Sequence, residues 1–219
     1  MAMAHLLGGT DSVLNNVVSE LRDEIIQRDS MRFRWNLERV GAIAAYEISR
    51  VLPYLEHDVA TPLGVSKMRT CDQSEIVVAS ILRAGLPMHD GILKVFDRAG
   101  SAFVSCFRKY RSDGTFRIEL EHISGPSLEG KTLILCDTMV ATGASVVLAY
   151  EELCKRKGQP AHTHVVCAIA AREGLDYMQR NFISDEVTIW MAALDDALTA
   201  KAYIVPGLGD AGDLAYGEK

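Results

Sequence analysis

Five apolar runs limit what this chain can fold into more than any other feature: EIVVASIL (75–82), SAFVSCF (101–107), KTLILCD (131–137), THVVCAIAA (163–171) and VTIWMAAL (187–194). They are short, rich in β-branched residues and unbroken by polar alternation, so each predicts a strand covered on both faces. Helix-length segments lie between several of them: PMHDGILKVFDRA, GASVVLAYEELCKRKG and EGLDYMQRNF. Strands alternating with helices predict βαβ units, and hence an α/β fold with a mainly parallel sheet flanked by helices. Pro87 suits the first turn of its helix. Gly158 suits the end of the helix whose last turn carries Lys155, Arg156 and Lys157.

Upstream, Leu14, Val17, Val18, Leu21 and Ile25 recur at helical spacing, and so do Leu37, Val40, Ile43, Ala44 and Ile48. They predict a helical N-terminal region over about 11–52. One connection departs from the βαβ pattern: RKYRSDGTFRIELEHISGP follows the second strand. Asp113-Gly114 suits a tight turn there, and Phe116, Ile118 and Leu120 alternate with polar residues. An exposed β-hairpin, a flap over 108–125 carrying Arg108, Lys109, Arg111 and Arg117, is the expectation.

No Pro/Ser-rich or charge-rich linker divides the 219 residues, so one domain over 1–219 is expected. A net charge of −6, with Lys and Arg scattered apart from FRKYR, disfavours a nucleic-acid surface. No run reaches the length of a membrane span and no basic leader precedes the first apolar residues, which predicts a cytoplasmic protein. Cys71, Cys106, Cys136, Cys154 and Cys167 form no CxxC pair, so neither disulfides nor a structural zinc is expected.

The chemistry concentrates in CDTMVATGAS, 136–145. A strand predicted to end on Asp137 runs into Thr142, Gly143, Ala144 and Ser145, small residues with little to bury, and then into a helix from about Gly143. Beyond the C-terminal ends of parallel strands, helix N-termini aim free N–H groups at anions. A phosphate on the N–H groups of residues 141–145, helped by the Thr142 and Ser145 hydroxyls, fits that geometry. Asp137 repels phosphate but accepts from sugar hydroxyls, so phosphate plus ribose is the implied ligand. The same residues also suit a plain N-cap and turn. They are not a Walker sequence, since no Gly-Lys-Ser/Thr follows.

ILRAGLPMHDGIL (81–93), CDTMVATGAS and YIVPGLGDAGDLAYG (203–217) resemble, in order and spacing, three signatures of the uracil phosphoribosyltransferases. With FRKY and the helical N-terminal region, the resemblance covers roughly 20–219. It implies a type I phosphoribosyltransferase fold and synthesis of UMP and pyrophosphate from uracil and 5-phosphoribosyl-1-pyrophosphate (PRPP), a pyrimidine salvage reaction. Carried over position by position, it implies a PRPP loop made of Asp137, Thr138, Met139, Val140, Ala141, Thr142, Gly143, Ala144 and Ser145. Arg83 and Arg108 resemble the family's pyrophosphate-binding arginines. Ile204, Gly209, Asp210 and Ala211, in the base-binding segment 203–217, resemble its uracil-reading residues, with Asp210 also near PRPP. Catalytic roles fall to Asp137, Arg83, Arg108 and Asp210. The resemblance implies Mg²⁺ bound mainly through PRPP, with no metal ligand set of the protein's own, and it raises GTP as an activator and assembly as a homodimer or homotetramer. Neither nucleic acid nor membrane is an expected partner.

The chain departs from the family pattern at several places. Thr138 stands where proline is usual, Ala144 where a second glycine is usual, Pro87 in place of a glycine, Leu214 in place of Arg or Lys, and Glu218 in place of a threonine. Ala144 serves a phosphate as well as glycine would unless its φ must be positive. Asp213 is expected to order its own glycine turn, and His162 and His164 to mark a strand entrance rather than a metal site. Two other functions stay open: a phosphoribosyltransferase-fold regulator of pyrimidine-operon RNA, and a paralogue acting on another base.

Overall fold

The computed structural model describes residues 1–110, 116–183 and 185–218, and all of their side chains except those of 107–110 and 116–119. Strands run over Met3–Leu6 (β1), Leu55–Thr61 (β2), Gly64–Thr70 (β3), Ile76–Leu82 (β4), Gly100–Tyr110 (β5), Phe116–Ser124 (β6), Thr132–Val140 (β7), His162–Ala171 (β8), Val187–Asp195 (β9), Ala197–Leu198 (β10) and Ile204–Val205 (β11). Helices run over Val13–Arg22 (α1), Ser30–Ser49 (α2), Leu86–Leu93 (α3), Ala144–Lys157 (α4), Arg172–Asn181 (α5) and Ala211–Tyr216 (α6).

The main sheet has the order β1-β9-β8-β7-β4-β5-β6. Every pairing in it is parallel except β5 with β6. Both faces of its centre are covered, which is why the runs of β4, β7, β8 and β9 carry no polar alternation; of the described side chains of β5 only Ala102 and Val104 are buried, with half-buried residues beside them. On one face α1, α2 and α3 bury Leu21, Leu37, Val40, Met88 and Ile92 with Val78, Ile134 and Val166 of the sheet. On the other, α4 and α5 bury Val146, Leu153, Leu175 and Met178 with Val77, Leu133, Val165 and Ile189. Fully burying such a side chain contributes roughly 1.5–3 kcal/mol, so the sheet is held from both sides.

β4 pairs with β5 on one side and β7 on the other. The chain therefore leaves β4 in one direction and returns on the opposite flank, and this reversal opens a crevice beyond the strands' C-terminal ends. Pro87 lies in the first turn of α3 and Gly158 closes α4, as expected. Among the described residues no helix is long and apolar enough to cross a membrane.

Three features differ from the sequence reading. α1 ends at Arg22 instead of reaching Ile25, because Asp23 Oδ1 accepts the Ile25 and Ile26 N–H groups at 2.9 Å each and turns the chain; Ile25 is 73% exposed. β1 adds an edge strand beside β9, and β2 with β3 forms a separate antiparallel hairpin, neither of them anticipated. β2 and β3 are exposed almost throughout, so no buried face imposed a period of two on their sequence. The expected hairpin is present as β5 and β6, paired out to Tyr110 with Phe116 and interrupted by a shift at Ser105/Cys106. Its Asp113-Gly114 turn and Arg111 lie outside the described residues, as do the side chains of Lys109 and Arg117.

Candidate active site

A cleft of about 690 Å³ opens at the C-terminal edge of the sheet, where four separate stretches meet. The end of β4 and the turn after it bring Ile81, Leu82, Arg83 and Ala84. The end of β7 and the turn into α4 bring Asp137, Thr138, Met139, Ala141 and Ser145. The C-terminal segment brings Ala202, Tyr203, Ile204 and Gly209 to Gly212, and the base of the β5–β6 hairpin brings Ser105, Cys106 and Glu121. Arg83, Asp137, Ile204 and Asp210, more than 120 residues apart at the extremes of the sequence, thus share one concavity.

β7 does not stop at Asp137 but continues to Val140. Asp137 is half-buried and lines the cleft, whereas Val140 is buried in the core on the α4 side and does not. The turn falls at Ala141, Thr142 and Gly143, and Gly143 caps α4 with φ +79°. A Cβ there would sit 2.7 Å from the Gly174 carbonyl oxygen, so both backbone conformation and space require glycine. Ala144 has no positive φ, and alanine fits where glycine is usual. Thr142, Gly143 and Ala144 shape the turn without lining the cleft. The Thr142 hydroxyl accepts the Ala144 N–H at 3.5 Å, so of these two Ser145 is the one whose residue lines the cleft. Thr138 is fully buried against the cleft, and its hydroxyl has no partner among the described residues.

Arg83 is the described cation of the cleft wall. Its Nη2 donates to Asp213 Oδ1 at 3.3 Å, and both Nη atoms donate to the Gly217 carbonyl at 3.3 Å. Asp213 therefore does not order the glycine turn as expected; Asp210 does, its Oδ1 accepting the Gly212 and Asp213 N–H groups at 2.9 and 3.1 Å as the N-cap of α6. A short polar side chain at an N-cap satisfies orphan donors, and the position preceding Ala211 was the one with that opportunity. The backbone of Arg108 pairs with Ile118 in the hairpin, and its side chain lies outside the described ones.

Ser105, Cys106 and Glu121 were not anticipated. They enter because the hairpin's base, and not only its tip, borders the cleft, with Ser105 Oγ donating to Glu121 Oε2 at 3.3 Å. The Cys106 thiol is pushed up to about 11, chiefly by burial and then by the Asp137 carboxylate, so it stays protonated and is no nucleophile near neutral pH. His162 and His164 lie with ring centroids 4.7 Å apart, and the Trp190 indole N–H donates to His164 Nδ1 at 3.1 Å. Burial, then the neighbouring His162 and His5, hold His164 down at about 3, so it is neutral. Among the described residues no three potential metal ligands cluster.

Three of the cleft's four segments carry the motifs by which the sequence resembles a known family, and comparison with known proteins agrees. A family model described as uracil phosphoribosyltransferase matches residues 10–218. A uracil phosphoribosyltransferase of Porphyromonas gingivalis is 48% identical over 219 residues, all of both chains. One from Pyrococcus furiosus is 37% identical over 204 residues, 92% of this chain and 85% of that one. The solved structure of the AQ2163 protein from Aquifex aeolicus superposes with a TM-score of 0.87 at 31% identity, covering 98% of each chain. With its signature segments gathered at one sheet edge and relatives matching end to end, the chain belongs to the uracil phosphoribosyltransferase family.

Proposed function

We propose that this protein transfers the 5-phosphoribosyl group of PRPP to uracil, releasing UMP and pyrophosphate, in the cleft bordered by residues 81–84, 137–145 and 204–212. The observation that carries the reading is the convergence of an arginine, a helix-capping turn and a Gly/Pro-rich C-terminal loop on one concavity beyond the sheet. In this assignment the 5′-phosphate rests on N–H groups of the turn into α4, with the Ser145 and Thr138 hydroxyls beside it. Asp137 accepts from the ribose hydroxyls. Arg83, joined by Arg108 from the hairpin, binds the pyrophosphate and offsets its charge as it leaves. Ile204 and Gly209 to Ala211 present backbone groups to uracil, and Asp210 stands between base loop and PRPP.

Glu121, Asp137 and Asp210 put three carboxylates on the wall of a cleft whose described cation is Arg83. Such a wall repels a bare pyrophosphate, and oxygen donors suit a hard divalent cation, so the residues fit Mg²⁺ carried in by PRPP. Asp137 and Asp210 would supply what protein oxygens it takes, most of its ligands coming from PRPP and water. Bound there, the metal supplies charge neutralisation of the leaving group.

Displacement at the anomeric carbon builds positive charge on the ribose ring. The protein's part is to fix uracil in line with the departing pyrophosphate and to keep water away, the hairpin closing over the phosphates. The cleft's thiol, held protonated, is no nucleophile for this step, and the reading is direct displacement by uracil. Cytosine would set a donor against a donor of the loop, costing about 1–3 kcal/mol per mismatch.

The test is pyrophosphate release from PRPP and Mg²⁺ with uracil, cytosine, hypoxanthine, guanine and orotate, with and without GTP. Turnover confined to uracil is expected. Comparable turnover of cytosine, or turnover of a purine and not uracil, refutes the assignment.

A further inference from the structure

None of the cleft's own residues explains what fixes the loop that carries Ile204 and Gly209. Gly207 lies between them, buried, with φ +59°, and a Cβ on it would sit 2.2 Å from the Ile204 carbonyl oxygen. Its backbone groups are both held by one ion pair. The Gly207 N–H donates to Asp195 Oδ2 at 2.9 Å, and Arg22 Nη1 donates to the Gly207 carbonyl at 3.0 Å. Arg22 in turn grips Asp195 with both nitrogens, Nη1 to Oδ2 at 2.9 Å and Nη2 to Oδ1 at 2.7 Å. Asp195 closes β9, and Arg22 is the last residue of α1.

The charged pair is a built one. The Asp195 side chain is 5% exposed. Burial works to raise its pKa, yet the Arg22 fork and the Gly207 N–H outweigh it and hold the carboxyl below the usual range. A second side chain acts one residue further on. Oriented so that its oxygen and nitrogen are both satisfied, the Gln27 amide donates to the Leu21 and Leu208 carbonyls at 3.0 and 2.8 Å. The turn that brings Gln27 there is the one Asp23 makes after α1. Consecutive carbonyls of the loop, Gly207 and Leu208, are thus bonded to the N-terminal helical region, immediately before Gly209 enters the cleft.

We propose that Arg22 and Asp195 are positioning residues for the nucleobase: clasping Gly207, they set the backbone of 204–211 at the geometry that reads uracil. This rests on the assignment of that loop to the base. Neither residue lines the cleft, so they act through the loop and not on substrate. Backbone recognition needs such a clasp more than side-chain recognition does, since a loop that drifts by about 1 Å loses on the order of 100-fold.

Steady-state kinetics of wild type, Asp195→Asn, Arg22→Lys and the double variant, with uracil and PRPP varied separately, tests it. Arg32→Lys is the control. The Arg32–Glu20 pair joins α1 to α2 with the same two-nitrogen grip, at 2.7 Å twice, but does not touch the loop. The expected result is a uracil KM raised about 10–100-fold in both single variants, with the PRPP KM within about twofold of wild type. The double variant should be no worse than the poorer single, since the pair acts as a unit. The control should lower the melting temperature and leave the uracil KM in place. If Asp195→Asn does not fold, Arg22→Lys, which keeps the charge and loses the fork, decides alone. Uracil and PRPP constants rising together, or the control reproducing the uracil shift, would overturn the proposal. Wild-type protein that binds PRPP and converts no uracil would sink the underlying assignment, and the clasp's role in base recognition with it.

Discussion

The turn into α4 makes a pair of substitutions unequal in effect, although the residues are adjacent. Gly143 has φ +79°, and Gly143→Ala forces a side chain into that conformation at roughly 1–2 kcal/mol. The new Cβ would also lie 2.7 Å from the Gly174 carbonyl oxygen and 3.2 Å from Met178 Cγ. Gly174 belongs to the first turn of α5, so its carbonyl cannot retreat without moving a helix; a further ~1 kcal/mol is a modest estimate of that crowding. Restricting the unfolded chain returns about 0.4–1 kcal/mol. The net loss, about 2 kcal/mol, corresponds to a fall in melting temperature of about 4–8 °C for a chain of this size. Because the turn is proposed to present N–H groups to the 5′-phosphate, PRPP KM should rise about 10–100-fold as well. Ala144→Gly instead costs up to about 1 kcal/mol of helix propensity and leaves PRPP KM within about twofold, because Ala144 is already helical. Thermal unfolding with PRPP kinetics measures both. A Gly143→Ala protein with unchanged melting temperature and PRPP KM, or an Ala144→Gly protein that binds PRPP markedly better, would refute the reasoning.

Thr138→Val keeps shape but removes a buried hydroxyl that has no partner among the described residues, so stability should hold or rise slightly while PRPP KM increases about 3–10-fold; an unchanged KM would remove Thr138 from the site. Asp213→Asn loosens an ion pair whose side chains are 37% and 40% exposed, worth about 0–1 kcal/mol, so PRPP KM should fall by up to about fivefold, and a rise would show that substrate itself uses Asp213. His164 is held at about 3 against 6.5 unfolded, so the unfolded chain takes up its proton first. Its stabilising effect is complete above pH 6.5 and is lost as pH falls toward 3, about 2 kcal/mol of it by pH 5. His164→Gln, which keeps an acceptor for the Trp190 N–H, should flatten that part of the stability curve; an identical pH dependence in both proteins would contradict it.

The sheet was legible because burial on both faces removes polar residues from a strand, and that signature survives in a single sequence. The exposed hairpin β2–β3 has no such constraint, and its residues Glu56, His57, Asp58 and Lys67 pattern like a loop. The turn into α4 was legible in its glycine and small residues, but not in which of them line the cleft, since that depends on how far β7 runs. Arg22 and Asp195 were invisible as a pair, being 173 residues apart. Half of the signal was present nonetheless: Asp195, like Asp137, is a carboxylate at the C-terminal end of an apolar run. Parallel strands put such residues at the sheet edge, where carboxylates are costly unless they grip something.

That economy of charge bears on how the C-terminal segment would serve the two proposed subsites. Asp210 caps α6, and α6 carries Asp213, which with the Gly217 carbonyl holds Arg83. The proposed base loop and the proposed pyrophosphate arginine are therefore bonded to each other through a helix of six residues. The strengths along this chain are graded. The Arg22–Asp195 clasp is short and forked with its carboxylate buried, whereas Arg83 is held by 3.3 Å contacts at a half-exposed position. A pyrophosphate bringing several charges outcompetes one carboxylate and a carbonyl there, while uracil, which is neutral, could not reorganise the clasp. The loop proposed to read a neutral base is fixed in advance by a largely buried ion pair, and the arginine proposed to meet a polyanion is left half-exposed, where a ligand could take it.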